Sequence, residues 1–335
     1  MSDNIEALLE KCLSIRWGQP VSVSGLKRFH GGAARETYRF DATSGGTTRG
    51  LVLRRDPASS LIETDRRTEF AALAAVHGSE VPVPEPLFVD ESGAELGAPG
   101  FIMSEVADVK PGGILTPDAY APHGAWVGEQ MFTILGHIHA ADPAAFVTGT
   151  PPPAPEDCWR QRLDHWAAAV TADALGPEPI FWAGVRWLER NPPPTPSRLA
   201  IVHGDYRSGN FLVDDNGRIG AIVDWEMAHI GDPLEDLAWA MDPLWSHGSP
   251  GRPAGTVDEA TAIAHWRRTS GLTVDPTAFA WWRVYAQVMG LAIWISSARE
   301  VASGRSIDPI MVFSSLYTYR FHNRTLAATL RSLAA

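Results

Sequence analysis

The stretch from Val202 to Asp236 constrains this chain more than any other. It reads Val202-His203-Gly204-Asp205-Tyr206-Arg207-Ser208-Gly209-Asn210, then Ile222-Val223-Asp224-Trp225-Glu226. Asn210 follows Asp205 by five positions, and Asp224 lies 14 residues beyond Asn210. Ala200-Ile201-Val202 predicts a short strand feeding a tight loop. Phe211-Leu212-Val213 and Ile219 to Val223 predict a hairpin around Asp214-Asp215-Asn216-Gly217, whose Asn-Gly pair is a strong turn signal. Asp205 and Asn210 then share one loop, Asp224 sits just past a strand end, and all three can face one cleft.

An acid, an amide and a second acid at this spacing match what phosphoryl transfer from a nucleotide requires, a reaction that depends mostly on positioning and charge stabilisation. Asp205 is suited to orient an acceptor hydroxyl and take its proton. Asn210 and Asp224 offer the oxygen ligands that Mg²⁺ prefers. Arg207, two residues after Asp205, can spread the charge of a γ-phosphate. His203 reads as a residue that holds the loop backbone. Each of these residues alone is an ordinary turn former; the combined pattern carries the argument.

Charge bounds the partners. With 335 residues and a net charge of -11, the chain lacks the basic balance of a nucleic-acid binder or of a protein bound to an anionic membrane surface. Cys12 and Cys158 form no Cys-x-x-Cys pair, so neither a disulfide framework nor a thiolate zinc site is expected. Met1 to Glu10 carries acids and no apolar signal core, and the expectation is a cytoplasmic enzyme. Ala280 to Ala298 is apolar but interrupted by Arg283 and Gln287, which predicts a buried helix and not a membrane span. The 13 tryptophans read first as core anchors.

The fold class expected is α+β. Val21 to Phe29, Thr37 to Phe40 and Leu51 to Arg54 predict an antiparallel meander, with Ser44-Gly45-Gly46 as a turn. Glu63 to His77 has helical spacing, and the prolines from Pro82 to Pro86 end it. Leu87 to Val89 and Phe101 to Val106 add two strands. The polar, glycine-containing Asp108 to Pro117 marks a boundary, which divides the chain into residues 1–106 and 107–335. Helices are then expected over Ala125 to Ala140, Asp157 to Ala174, Ile180 to Arg190, Asp258 to Ser270, Pro276 to Ser303 and Ile310 to the C-terminus. Asp232-Pro233-Leu234-Glu235 reads as an N-cap, a first-turn proline and a capping-box Glu, with Asp236 structural.

His203 to Asn210, with Asp224-Trp225-Glu226 through Gly231-Asp232-Pro233-Leu234-Glu235-Asp236-Leu237, resembles the aminoglycoside phosphotransferase and choline kinase group of small-molecule kinases. The wording is most similar to a branch that includes phosphotransferase domains joined to some acyl-CoA dehydrogenases. The resemblance covers nearly the whole chain and is sharp in this cassette. It implies a protein-kinase-like bilobal fold, with an ATP-binding N-lobe over 1–106 and a helical C-lobe with catalytic loop and acceptor pocket over 107–335. It also implies ATP with Mg²⁺ and a hydroxylated small molecule as acceptor. Gly31 and Gly32 stand where such kinases fold a loop over the phosphates. Leu51-Val52-Leu53-Arg54 stands where the group carries its phosphate-binding lysine, and here Arg54 and Arg55 replace it. Strand alternation puts the two on opposite faces, so one faces the cleft; Arg54 is the choice, with Glu69 as its ion-pair partner. Phe101 to Val106 is the expected hinge, with backbone groups near Glu105 and Val106 holding adenine.

Three functions remain open on this reading. The first is an O-phosphotransferase acting on a hydroxyacyl thioester or similar metabolite. The second is an aminoglycoside or macrolide phosphotransferase. The third is a nucleotide-binding pseudokinase, favoured only by Arg54 in place of lysine. Between Trp239 and Ser303, Asp242, Asp258, Glu259, Asp275 and Glu300 are offset by Arg252, Arg267, Arg268, Arg283 and Arg299. That balance leans away from a polycationic acceptor and toward a larger, partly apolar one.

Overall fold

A computed structural model of the chain describes residues 5–29, 36–56, 66–113, 116, 118–246 and 248–334. Gly31 and Gly32 lie outside the described residues. Helix α1 (Ile5–Trp17) precedes strands β1 (Ser22–Phe29), β2 (Glu36–Ser44) and β3 (Thr47–Arg55). Helix α2 (Arg66–Val76) and strands β4 (Pro86–Asp90) and β5 (Gly100–Ser104) complete this part. The sheet is antiparallel, in the order β1-β2-β3-β5-β4. The expected meander is therefore present, with longer strands than the apolar runs alone marked.

The alternation of β3 decides what each face does. Leu51 and Leu53 pack with Phe40, Ile102 and the α1 residues Leu9 and Leu13. Val52 faces the other way, into a core shared with Leu73 of α2, Phe101 and Met103. The two-residue period puts Arg54 on the Val52 face, toward α2, and Arg55 on the other. Helix α1 was not among the expected elements, although Leu9, Cys12 and Leu13 carry helical spacing. Both cysteines are free and buried, and burial pushes the thiols up to about 11 at Cys12 and about 12 at Cys158, which leaves them unreactive.

The remaining elements are β6 (Lys110–Pro111), α3 (Gly124–Ala140), α4 (Cys158–Asp173), α5 (Pro179–Arg190), β7 (Ala200–Val202), β8 (Phe211–Val213), β9 (Ile219–Ile222), β10 (His229–Gly231) and α6 (Leu234–Ala240). They are followed by α7 (Glu259–Ser270), α8 (Pro276–Ala302), α9 (Pro309–Phe313) and α10 (Tyr319–Ala334). The hairpin β8–β9 forms around Asp214, whose Oδ1 accepts from the amides of Asn216 and Arg218 at 2.8 and 2.9 Å. Strand β6 pairs with β8, which ties the chain leaving the large sheet to this hairpin.

Helix α8 is the axis of the helical part. Asp275 caps it through the Ala278 amide at 2.8 Å, with Pro276 in its first turn. Trp281, Trp282 and Tyr285 are fully buried along it. Among the described residues no helix is long and apolar enough to cross a membrane. The single helix expected from Ile310 onward is interrupted: Ser314–Thr318 is a π-helical stretch between α9 and α10. One reason for the close approach of α10 is Gly290, where a Cβ would lie 2.3 Å from the His322 ring.

Candidate active site

Strand β7 pairs antiparallel with β10 and delivers His203 to the loop. Gly204 has φ +84, and a Cβ there would stand 2.5 Å from the Met227 carbonyl, so the His-Gly-Asp turn needs glycine. The buried Asp236 of α6 then holds the turn. Its carboxylate accepts from the amides of His203 and Gly204 at 2.7 and 2.9 Å. His139 Nε2 lies 3.2 Å from the same group, and His139 Nδ1 accepts from Trp266 Nε1 at 2.8 Å. Asp236 is structural, as its position after a helix start implied.

His203 stitches the loop to the strand that ends at Asp224. Its Nδ1 accepts from the Asp205 amide at 3.2 Å and its Nε2 donates to the Val223 carbonyl at 3.1 Å, which fixes one neutral tautomer. The Val223 amide donates to the Asn210 carbonyl at 3.0 Å. Asp224 follows at φ 70 and ψ 53, a left-handed conformation that aspartate tolerates better than most residues. Such conformations persist where their surroundings over-determine them, typically at functional sites.

Both oxygens of Asp205 are engaged. Oδ1 accepts from Trp239 Nε1 at 2.8 Å and from Arg207 Nε at 3.0 Å; Oδ2 accepts from Asn210 Nδ2 at 2.8 Å. The Asn210 nitrogen also donates to the Asp205 carbonyl at 2.8 Å. That commits the nitrogen and leaves Oδ1 as the Asn210 atom suited to a cation. Arg207, expected to spread the charge of a γ-phosphate, pairs here with Asp205, and its guanidinium lies 4.9 Å from the Trp245 ring centroid. A side chain that makes one ion pair and one cation–π contact is held in place by both.

The other half of the cleft comes from the sheet. Arg54 of β3 pairs with Glu69 of α2, and its Nη2 donates to Asp224 Oδ1 at 3.1 Å. Burial alone would lower the Arg54 pKa, but Glu69, Asp224 and Glu226 outweigh it and hold the guanidinium firmly charged. Arg54 Nε is buried with no hydrogen-bond partner among the described residues. Arg55 points away, to Glu36 at 3.0 Å and the Leu96 carbonyl at 3.1 Å. The Glu105 carboxylate turns back onto Arg39 Nε at 3.1 Å, and its amide donates to the Gly50 carbonyl at 2.9 Å. Val106 passes over β9 beside Gly220, where a Cβ would stand 3.7 Å from Val106 and 2.8 Å from Val109.

The structure thus brings Asp205, Arg207, Asn210, Asp224, Arg54 and Glu69 together, with Glu105 and Val106 where the large sheet joins the hairpin. Among the described residues no three His, Cys, Asp or Glu side chains gather as a metal cluster. Asn210 and Asp224 are hard oxygen donors, and Mg²⁺ typically takes one or two protein ligands and completes its shell with phosphates and water. The donor set fits that ion.

Trp239 is the site residue that the sequence reading missed. It lies three positions after Asp236, so one face of α6 presents both to the loop. Trp239→Phe keeps an aromatic ring and removes the indole N–H. About tenfold or more in kcat is expected to be lost, the worth of one hydrogen bond to a charged group, with nucleotide KM unchanged and a modest fall in melting temperature from the smaller ring in a buried site. Unchanged kcat in the folded variant would reduce Trp239 to a core residue.

One other expectation changes. Asp232 does cap α6, accepting from the Leu234 amide at 2.9 Å, and it also accepts from Trp282 Nε1 at 2.8 Å. Glu235 is no capping-box residue. It is buried, with Arg162 Nε at 3.1 Å, His229 Nε2 at 3.0 Å and the Tyr285 hydroxyl at 3.2 Å. Trp281, Trp282, Tyr285 and Trp294 are core, each with a polar partner for its N–H or O–H.

An antiparallel sheet joined to a helical part, with the acids and the amide at their junction, is a protein-kinase-like architecture. Comparison with known proteins supplies the family: a profile of the phosphotransferase enzyme family, abbreviated APH, matches residues 25–272, and the chain belongs to it. The chain is 26% identical over 244 residues to acyl-CoA dehydrogenase family member 11 of Gallus gallus, covering 71% of this chain and 30% of that protein. The chain thus spans about a third of the length of that relative. It is 28% identical over 242 residues to hygromycin-B 4-O-kinase of Escherichia coli, covering 65% and 62% of the two chains. The same fold is seen in a candidate aminoglycoside phosphotransferase from Ralstonia eutropha, with TM-score 0.73, 19% identity and coverage of 97% and 98%. It is also seen in an aminoglycoside 2'-phosphotransferase-IIIa solved with GDP, with TM-score 0.60, 16% identity and coverage of 96% and 99%.

Proposed function

We propose that this protein transfers the γ-phosphoryl group of ATP to a hydroxyl of a small metabolite, with Asp205 as general base. The observation that carries this is the Asp205 carboxylate, held by Trp239, Arg207 and Asn210 beside the Arg54–Asp224 pair. Residues 1–106 serve as the ATP-binding lobe and 107–335 as the lobe of the catalytic loop and acceptor. A donor such as MgATP matches a cytoplasmic enzyme.

Arg54 is the candidate for holding the α- and β-phosphates, with Glu69 orienting it and its unpartnered Nε as a further donor. Gly31 and Gly32 are assigned to the loop over the phosphates. The Glu105 amide is already used by the sheet, so adenine contacts fall to the Glu105 carbonyl and the Val106 amide. Asn210 Oδ1 and the Asp224 carboxylate are the groups to hold Mg²⁺, which when bound neutralises charge on the phosphate oxygens. Arg54 and such a cation share Asp224, so nucleotide binding is expected to draw Arg54 from Asp224 toward the phosphates. Asp205 accepts the hydroxyl proton as the new O–P bond forms and the bond to the departing ADP breaks. Arg207 then loses its charged partner and can turn to the transferred group.

For the acceptor, a hydroxyacyl thioester or similar metabolite is preferred over an aminoglycoside or macrolide, on the mixed charge of the acceptor side. The test is Mg²⁺-dependent ADP formation across hydroxyacyl thioesters, aminoglycosides, macrolides and amino alcohols. A nucleotide-dependent rise in melting temperature without turnover on any of them would favour the pseudokinase. Asp224→Ala is expected to weaken MgATP binding by about tenfold or more, the loss of one charged ligand. Calorimetry showing unchanged MgATP affinity would remove Asp224 from the metal site.

A further inference from the structure

Two of the side chains on Asp205 depend on a turn that follows α6. Trp239 donates to Asp205, and Arg207, also on Asp205, lies over the Trp245 ring. Trp239 and Trp245 meet edge to face, with ring centroids 5.2 Å apart. Trp245 is 2% exposed, and its Nε1 is buried without a hydrogen-bond partner among the described residues. The place of that ring is therefore set by packing and by the backbone of the 3₁₀ turn Pro243–Ser246 that carries it.

Asp242 organises the turn. Its Oδ1 accepts from the Leu244 amide at 2.8 Å, and its carbonyl accepts from the Trp245 amide at 2.9 Å. Its own amide donates to the Trp239 carbonyl at 3.0 Å. Asp242 is 3% exposed, and a carboxylate buried this deeply requires polar partners. His322 of α10 supplies one from 80 residues away, with Nε2 at 2.9 Å from Oδ1. Gly290 of α8 admits the ring, since a Cβ there would stand 2.3 Å from it.

The hydrogen bonds fix the state of His322. The Trp294 indole of α8 is a donor only, and it gives its N–H to His322 Nδ1 at 2.7 Å. Nδ1 is therefore bare, and Nε2 carries the proton that points at Asp242. The buried imidazole also lies 6.1 Å, centroid to centroid, from the rings of both Trp294 and Trp239. Contacts thus run without a break from α8 through His322 and Asp242 to Trp239 and Trp245, and from these to Asp205 and Arg207.

We propose that His322 is a positioning residue for phosphotransfer. By donating to Asp242 it holds the turn that sets Trp239 and Trp245, and through them the Asp205 carboxylate and the Arg207 guanidinium. This role rests on the phosphotransferase reading above. A histidine that only filled the core would need its two hydrogen bonds alike; a positioning residue needs the one to Asp242.

Two substitutions separate those bonds. His322→Gln keeps an N–H where Nε2 stood and loses the acceptor for Trp294. His322→Asn keeps an acceptor where Nδ1 stood and loses the donor to Asp242. NMR of the nucleotide-free protein reads the N–H resonances of Trp239 Nε1 and Arg207 Nε, assigned by their loss in Trp239→Phe and Arg207→Lys. His322→Asn is expected to shift both resonances. It should also slow Mg²⁺-dependent ADP formation about tenfold or more, the worth of one hydrogen bond to a charged group, with calorimetric MgATP affinity unchanged. His322→Gln is expected to leave both resonances in place and to retain most of the rate. Nitrogen-15 NMR of the histidine rings reads the tautomer in the parent, so a variant that fails to fold does not end the test; a protonated Nδ1 on His322 would overturn the proposal. Equal loss of rate in the two variants, unmoved resonances in His322→Asn, or a rate loss matched by the loss of MgATP affinity would also overturn it. If the parent forms no ADP on any acceptor named above, the phosphotransferase reading fails, and the two resonances still decide whether His322 holds the Asp205 carboxylate in place.

Discussion

Asp205→Ala is expected to lower phosphotransfer by about 10²–10⁴-fold, the range of general-base contributions, while nucleotide affinity stays as in the parent. Three donors now converge on this carboxylate. Its removal takes the proton acceptor from the reacting hydroxyl and leaves Arg207 without its ion-pair partner. The nucleotide side is spared because Arg54, Glu69 and Asp224 form a separate set of contacts. Asp205→Asn is the companion variant: it keeps the shape of the side chain but not its basicity, and should be nearly as inactive. Steady-state ADP release reads the rate, and calorimetry with MgATP reads the affinity. Unchanged turnover in either variant would remove Asp205 as the base.

Glu235→Gln should be the most damaging substitution to stability outside the reacting groups. Removing one partner of a buried ion pair typically costs about 3–5 kcal/mol, because the other charge stays buried and uncompensated. Arg162 is that other charge, 3.1 Å away, and Tyr285 and His229 share the carboxylate. Burial would raise the Glu235 pKa, but Arg162 and His229 outweigh it and draw it down from 4.5 to about 2. A carboxylate depressed in the folded state stabilises the protein fully above its unfolded pKa, and that stability is lost as pH falls through the folded value. The window is therefore pH 4.5 to about 2. Asp232 opposes it: burial pushes its pKa up to about 6, so its ionisation destabilises the fold as pH rises from 3.8 to about 6. Urea unfolding of the parent should lose stability on acidification below pH 4.5, and Glu235→Gln should flatten that loss. A variant as stable as its parent at pH 7 would show that the Arg162–Glu235 pair contributes little.

The placement of the candidate trio was legible because its geometry is local. Asp205, Asn210 and Asp224 lie within one strand-loop-hairpin unit whose strands and Asn-Gly turn are written in consecutive residues. The choice of Arg54 over Arg55 was legible for a similar reason, since the period of a strand separates neighbours onto opposite faces. The role of Glu235 was not. A Glu three residues after a capping Asp is the pattern of a capping box, and nothing nearby reveals that Arg162, 73 residues away, claims the carboxylate. Trp239 was hidden in the same way, 34 residues from the Asp205 it touches and one of many tryptophans that serve the core. Helix α1 carried a readable apolar spacing at Leu9, Cys12 and Leu13, yet its worth comes from the sheet face it covers.

By itself, the sequence determined that Asp205, Asn210 and Asp224 share one loop-and-hairpin unit, because local spacing along strands and turns sets which side chains meet there. Tertiary structure alone decided that Arg54 meets Asp224 across 170 residues, that Arg207 pairs with Asp205, and that Arg162 meets Glu235 in the core. Those contacts arise from the packing of distant elements into shared cores, and no local pattern records which distant partner a buried charge will find.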